Sequence, residues 1–387
     1  MIVTEKGAFK FLTFALVVIT LFTLTQAYYS AYLHIALLLL CIFICKNEQP
    51  VTLRFLLGGV AICFLFVILS IIKENGAVME HIGFYLHYIT WPFLFVCAVR
   101  KLNRKEISHL LYFIIGICLI GNILTLIQLN INPDISRLLA GRQLQEEKVQ
   151  YYKLGVGGYG YVFAMAFLMY GIVRWLKQTK SKAEKFYLLL FLVVNSLLIL
   201  YAGYTTAILL SLGMICFALA SDLRIGYRIL LVLFGSVLIL VFGKFLLETC
   251  YNIADSLELT WVAKRFEQLL YSQETNDLSS LKRVVLYGMS WNTFIENPFF
   301  GGSDYGGHSQ VLDLLAQYGI FAVFMPIFFG SCQSLCNKFL GKSKVFVVFL
   351  AFLLFACIDT CSVMQIPVAV FFVVPLMLYQ TLEGSKL

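Results

Sequence analysis

A histidine carried by a glycine-rich turn to the mouth of an apolar helix is placed to take a proton from a hydroxyl, and residues 297–322 have that form. The stretch reads Asn297-Pro298-Phe299-Phe300-Gly301-Gly302-Ser303-Asp304-Tyr305-Gly306-Gly307-His308-Ser309 and then enters a hydrophobic run. Its glycines permit a tight, close-packed turn. At about 100° per residue, Ser309, Gln310, Asp313 and Gln317 share one polar helix face. His308 falls instead with Leu312, Leu315 and Gly319, pointing toward neighbouring helices. A helix N-terminus disfavours imidazolium, which keeps such a histidine neutral and able to accept a proton. The plainer alternative is a histidine closing a loop at a membrane interface.

Other chemical signals carry less. Gly155, Gly157 and Gly160 match Gly-x-Gly-x-x-Gly, yet they open an apolar run and follow no strand, so they read as close helix packing or backbone approach to a ligand rather than a dinucleotide site. Cys41/Cys45, Cys332/Cys336 and Cys357/Cys361 share a spacing that on a helix means packing, and no Cys-x-x-Cys occurs among the 11 cysteines. There is no Asp-x-Asp and no His/carboxylate cluster with metal spacing, so no metal and no cofactor are expected. His81 and His87, near one end of an apolar run, could line a cavity. Asp359 reads as a wetted helix end able to pair with a cation.

The elements that must position these residues are set by composition. Of 387 residues, 60% are hydrophobic and 13% charged, with a mean hydropathy of +0.87. Soluble domains are roughly half apolar and a quarter charged, so a water-soluble enzyme, a disordered chain and a nucleic-acid binder are excluded. The net charge of +8 lies between hydrophobic runs rather than on a nucleic-acid face. The expectation is an all-α integral membrane protein, a single polytopic domain over 1–387. About 20 apolar residues make a span. Twelve runs qualify: 8–26, 29–45, 53–72, 82–99, 107–130, 156–175, 185–202, 204–221, 227–247, 310–335, 344–358 and 362–382. The first lacks a small-residue cleavage site and reads as a retained anchor.

Orientation follows the basic residues. Alternate loops hold Lys6/Lys10, Lys46/Arg54, Arg100/Lys101/Arg104/Lys105, Arg174/Lys177/Lys180/Lys182/Lys185, Arg224/Arg228, Lys338/Lys342/Lys344 and Lys386, which makes both termini cytoplasmic. Two long segments then lie outside, 131–155 and 248–309, the second leading into the His308-Ser309 helix. Long loops of this kind usually carry function. In the second, Leu257, Trp261, Val262, Phe266, Leu269 and Leu270 form an apolar stripe suited to an interfacial helix. A further helix is expected from Ser280 as N-cap to Glu296, stopped by Asn297-Pro298.

His308-Ser309, nine residues and then Gly319 resembles the His-[Asn/Ser/Gln]-x9-Gly-x-x-[Gly/Thr/Tyr] pattern of the O-antigen ligase and O-antigen polymerase superfamily. Asn297-Pro298 with glycines before the histidine, the twelve spans, the inside termini and the long late outer loop are also similar to that family. Two features differ. Ala322 stands where Gly, Thr or Tyr is expected, and the turn Tyr201-Ala202-Gly203-Tyr204-Thr205-Thr206 lacks the Ser-Arg that ligase-like members carry there.

The resemblance implies a fold like that of the C-type membrane glycosyltransferases. It implies transfer of sugar chains from a polyprenyl-diphosphate carrier to an acceptor hydroxyl on the outer face of the bacterial cytoplasmic (inner) membrane. Within it, the best reading is a metal-independent polymerase that joins lipid-linked repeat units of O-antigen or capsule. The alternatives are a ligase transferring the chain to the lipid-A core of lipopolysaccharide and, from a different class, a lipid-linked oligosaccharide flippase or transporter. The implied partners are an undecaprenyl-diphosphate-linked oligosaccharide and the phospholipid bilayer, with a chain-length regulator and a flippase alongside, and no nucleic acid.

In that reaction His308 would be the general base, and the leaving diphosphate would need a cation, preferably the bidentate fork of an arginine. Arg283 is the residue that fits, on a stripe with Tyr287, Ser290 and Phe294. Arg142 is second, with Arg137 and Lys153 as further cations, Tyr151 and Tyr152 as sugar-stacking surfaces, and Asp304 and Tyr305 as binding residues of the glycine-rich turn. Lys264 and Arg265 read as phospholipid contacts.

Overall fold

In lipid every backbone polar group must find its partner within the protein, and a helix does so within one segment. The computed structural model describes residues 5–28, 31–45, 50–72, 78–133, 135–140, 145–223, 227, 244–245, 247–249, 251–256, 263, 266–267, 270, 278–340, 345–361 and 364–382; among them every regular element is helical and none is a strand. Helix α1 (Glu5–Leu21) ends in a 3-10 turn (Thr23–Tyr28) and is followed by α2 (Ala31–Ile44), α3 (Pro50–Ile72), α4 (Val78–Lys101) and α5 (Arg104–Ile131). Two short helices, α6 (Ile135–Ala140) and α7 (Gln145–Lys153), precede α8 (Tyr159–Gln178), α9 (Lys182–Ala202) and α10 (Thr205–Ala220). Then come α11 (Leu278–Glu296), α12 (Gln310–Tyr318), a 3-10 turn (Gly319–Val323), α13 (Phe324–Leu340), α14 (Phe346–Ile358) and α15 (Gln365–Gln380), the last with a π turn at Ala369–Val373.

Every expected span except the ninth falls on these helices; 227–247 lies almost wholly outside the described residues, as do the interfacial stripe of 257–270 and the Lys264-Arg265 pair. Five stretches are long and apolar enough to cross a bilayer: Arg54–Ile71, Arg104–Ile131, Tyr159–Gln178, Lys182–Ala202 and Gln310–Leu340. Leu57 and Phe64 of α3, Phe186 and Val193 of α9, Leu209 and Leu212 of α10 and Leu354 of α14 all point outward. Apolar surface on that scale belongs in lipid, and the chain is an α-helical membrane protein.

Local sequence explains the helix ends. Asn103 caps α5 in a capping box, its side chain accepting from the Glu106 N–H at 3.0 Å while Glu106 accepts from the Asn103 N–H at 2.9 Å. Gly203 ends α9 in the left-handed region. Helix α11 ends at Glu296 as expected but begins at Leu278, which places Ser280 inside its first turn; serine disfavours a helix interior only mildly.

The core forms around α8, whose residues 160–175 are all buried against α9, α10 and α15. A helix apolar on every side has to be central. Polar side chains within this interior pair with one another. Tyr161 donates to Asn122 at 2.8 Å, Asn122 to Asn195 at 3.1 Å, and Asn195 to the Met165 carbonyl at 3.0 Å, which ties α5, α8 and α9 together.

The bundle has two unlike ends. At one, charges meet: Lys6 pairs with Glu106 at 2.7 Å, and Asp222 pairs with Arg174 at 2.6 Å and with Lys177 at 2.7 Å. At the other, the turn after α1, helices α6 and α7, the start of α8, the loop before α12, the end of α14 and the start of α15 converge on one open cavity.

Candidate functional site

The cavity is built from the loop that carries His308. Asn297 and Pro298 stop α11, and the chain doubles back on itself: Gly302 donates to the Ala316 carbonyl at 2.7 Å and Ile320 to the Pro298 carbonyl at 2.8 Å. Gly319 is the hinge of this return. Its φ of +57° suits glycine, and a Cβ there would lie 2.5 Å from the Pro298 oxygen. Gly306 lies flat on α11, where a Cβ would fall 2.1 Å from the Leu286 oxygen.

A buried carboxylate fixes the loop's last turn. Asp313 Oδ1 accepts from the Ser290 hydroxyl at 2.6 Å and from the Gly307 N–H at 3.2 Å, while Oδ2 accepts from the Ser309 N–H at 3.2 Å. Ser290 Oγ in turn accepts from the Gly306 N–H at 2.9 Å. A carboxylate leaves water only when its oxygens are satisfied, and these bonds satisfy them. Ser309 is the N-cap of α12, accepting from the Leu312 N–H, and its hydroxyl donates to the Cys357 carbonyl at 2.7 Å. Tyr287 donates to the Ile358 carbonyl at 2.7 Å. Thus α11, α12 and the end of α14 are cross-tied around His308.

The cavity measures about 390 Å³, within the usual range for small-ligand sites. The lining includes His308 and Gly307 from the turn, Asp359, Thr360, Met364 and Gln365 from the end of α14 and start of α15, and Gln26, Leu139, Tyr152 and residues 158–161. Tyr152 is half-buried, and burial pushes its phenol above the ordinary range, so it remains a neutral hydroxyl.

His308 is half-exposed and precedes the helix, which starts only at Gln310. The expectation that it rides the helix face with Leu312, Leu315 and Gly319 is therefore corrected. The helix begins two residues past His308, with Ser309 as its N-cap, and His308 lines the cavity. The polar face of Ser309, Gln310, Asp313 and Gln317 exists, but all of it is buried.

Arg283 is exposed and does not line the cavity. It lies one helical turn before Tyr287, at the top of the stripe that runs down to Ser290. Tyr287 is a meeting point: burial pushes its phenol up, the nearby Asp359 and Asp313 charges add to that, and Arg283 opposes them.

Of the expected binding residues, Tyr152 lines the cavity; Tyr151 packs against the core, and Lys153 and Asp304 are exposed away from the lining. Tyr305 is half-buried in the loop and also off the lining. Arg142 and the side chain of Arg137 lie outside the described residues. His87 packs ring to ring with His34 inside the bundle rather than in the cavity, and the side chain of His81 is not among those described. The Gly155–Gly160 segment packs closely, a Cβ at Gly157 falling 2.2 Å from the Tyr161 ring, and it brings Gly158 and Gly160 to the cavity wall. Tyr204, in the turn lacking Ser-Arg, donates to the Ser136 carbonyl at 2.8 Å.

Three wall residues gave no sequence motif: Gln26, Asp359 and Gln365. Asp359 is buried rather than wetted. The one signal they share is a polar side chain at the end of an apolar run. Among the described residues no three His, Cys, Asp or Glu side chains gather as a metal site would require. No protein-family model, no characterised protein and no solved structure matches this chain.

Proposed function

We propose that this chain is a membrane glycosyltransferase of the O-antigen polymerase and ligase type, and that it joins lipid-linked oligosaccharide repeat units on the outer face of a bacterial cytoplasmic membrane. The observation that carries the reading is His308, held by its backbone at the lip of an open cavity, with the Arg283 stripe at the same end of the bundle. The basic residues gather at the opposite end, and by the positive-inside rule that end is cytoplasmic.

The acceptor sugar enters the cavity and presents a hydroxyl to His308. That oxygen attacks the anomeric carbon of the carrier-linked chain. As the new C–O bond forms, the bond to the carrier diphosphate breaks and the hydroxyl proton passes to the imidazole. Asp313 clasps the main chain on both sides of His308 and so holds the imidazole toward that hydroxyl. The diphosphate leaves with its charge set against Arg283, with Arg142 as a second cation. Direct displacement inverts the anomeric centre. A polymerase is favoured over a ligase because the 201–206 turn offers Tyr204 rather than an arginine. A flippase would need charges along a path through the bundle, whereas α8 at its centre carries no charged side chain from Gly160 to Val173.

General-base catalysis is worth about 100- to 10,000-fold, and glutamine cannot take a proton near neutral pH. His308→Gln and His308→Ala should both leave an inserted protein that accumulates single lipid-linked repeat units. Long polymer ladders from a well-expressed His308→Gln chain would end the catalytic assignment.

A further inference from the structure

The cavity beside His308 is bounded by two glutamines, each with one amide atom that the described residues leave without a partner. Gln26, on the turn after α1, is 7% exposed, and Gln365, the first residue of α15, is 4% exposed. Both line the cavity. The Nε2 of Gln26 and the Oε1 of Gln365 have no hydrogen-bond partner among the described residues. Buried polar atoms are nearly always paired, and leaving one unpaired is destabilising. An unpartnered donor and an unpartnered acceptor, on two residues that line one cavity, fit an occupant that both accepts and donates.

A sugar hydroxyl does both, whereas an ionised carboxylate or a fully deprotonated phosphate only accepts. The wall also carries the Asp359 carboxylate, which accepts but cannot donate when ionised, and no Lys or Arg lines the cavity among the described residues. A phosphate or carboxylate placed here would face the like charge of Asp359, with no Lys or Arg among the described lining residues to offset it.

We propose that Gln26 and Gln365 are the acceptor-recognition residues, and that the cavity takes an uncharged sugar ring and refuses a sugar acid or the carrier diphosphate. The Gln26 amide donates to one hydroxyl and the Gln365 carbonyl accepts from another, which turns the ring so that a third hydroxyl meets His308. The proposal rests on the glycosyl-transfer reading and separates its two substrates in space: the neutral acceptor in the cavity, the diphosphate outside it on the Arg283 side.

The test uses the full-length chain in lipid nanodiscs and saturation-transfer NMR with simple probes. These are methyl glucoside, methyl galactoside and methyl N-acetylglucosaminide as neutral rings, with methyl glucuronide and inorganic pyrophosphate as anions. At least one neutral glycoside should receive saturation, and Gln26→Leu and Gln365→Leu should each weaken its binding about tenfold. Both variants should keep or raise the Tm, because each removes an unpaired buried amide atom. Gln26→Glu keeps the shape but turns the donor into an acceptor; it should lose binding as well, and it serves as the readout where a leucine variant fails to fold.

Absence of any Gln26-dependent signal from a neutral ring would overturn the proposal, as would displacement of that ring by methyl glucuronide or pyrophosphate. Binding that is intact in a wild-type chain without transfer activity would sink the transferase reading and leave a neutral-sugar site standing. Polymer formation with no glycoside binding would do the reverse.

Discussion

Asp313 grips the backbone on both sides of His308, accepting from the Gly307 N–H through Oδ1 and from the Ser309 N–H through Oδ2, each at 3.2 Å. The imidazole is thus positioned through its own main chain, which leaves the ring free to meet a substrate. The clasp is anchored to α11 because Ser290 donates to the same carboxylate at 2.6 Å.

Asp313→Asn tests that clasp. Asparagine has one acceptor oxygen, and its amide N–H₂ must face one of the donors the carboxylate held. Hydrogen bonds to a charged group contribute about 1.5–3 kcal/mol each. We expect the variant to lose about 2 kcal/mol or more of stability and, through a displaced His308, roughly 100-fold in polymerisation rate. Ser290→Ala, which removes a single bond, should cost less on both counts. Initial rates beside thermal unfolding of the purified chain decide it, and an Asp313→Asn protein with wild-type rate would show that the clasp is dispensable for chemistry.

Arg283 is tested by its geometry rather than its charge. If its fork holds diphosphate, Arg283→Lys should be nearly as damaging as Arg283→Ala, since lysine keeps the charge and loses the paired donors. Loss of one such electrostatic contact costs on the order of 100-fold in rate. Near-normal polymer from Arg283→Ala at equal expression would return the residue to a lipid-headgroup contact. EDTA should leave polymerisation unchanged; inhibition reversed by magnesium would contradict a metal-independent mechanism.

Topology decides whether the cavity can meet an external carrier. Reporter fusions after Lys105, Lys185 and Lys344 should read cytoplasmic, and fusions within 131–155 and 255–300 external. A cytoplasmic reading from 255–300 would remove the proposed site from its substrate.

At the charged end, desolvation would raise the Asp222 carboxyl, but hydrogen bonds from Lys177 and Arg174 outweigh it and bring it down to about 2. A carboxyl depressed by folding stabilises the protein above its unfolded pKa, about 4, and that contribution fades as pH falls toward 2. Thermal stability of the wild type should therefore drop between pH 4 and pH 2 by more than that of Asp222→Asn. Asp222 is more than half exposed, so the difference should shrink at high salt. Identical acid profiles for the two chains would show that the cluster contributes nothing.

Much of this architecture is written locally. Runs of apolar residues specify membrane helices because each helix satisfies its own backbone, whatever its neighbours do. The stop at Asn297-Pro298 and the cap at Ser309 are likewise decided within a few residues. The histidine turn was legible for the same reason: Gly306, Gly307 and His308 are consecutive, and their chemistry follows from their spacing.

The cavity is another matter. Gln26, Tyr152, Asp359 and Gln365 come from the turn after α1, from α7, from the end of α14 and from the start of α15. No periodicity links them, because a polar residue at the end of an apolar helix looks the same whether it meets water or a neighbour. From sequence alone Asp359 is a wetted helix end, yet it is buried; Asp313 is one member of a polar helix face, yet it is the buried clasp of the loop. The sequence by itself determined the helical membrane class, the charge bias between the two ends and the presence of a histidine at a helix mouth, since hydropathy, charge and turn chemistry act over short distances. Only the tertiary structure decided which polar side chains lose their water together, because burial depends on packing between helices that lie far apart along the chain.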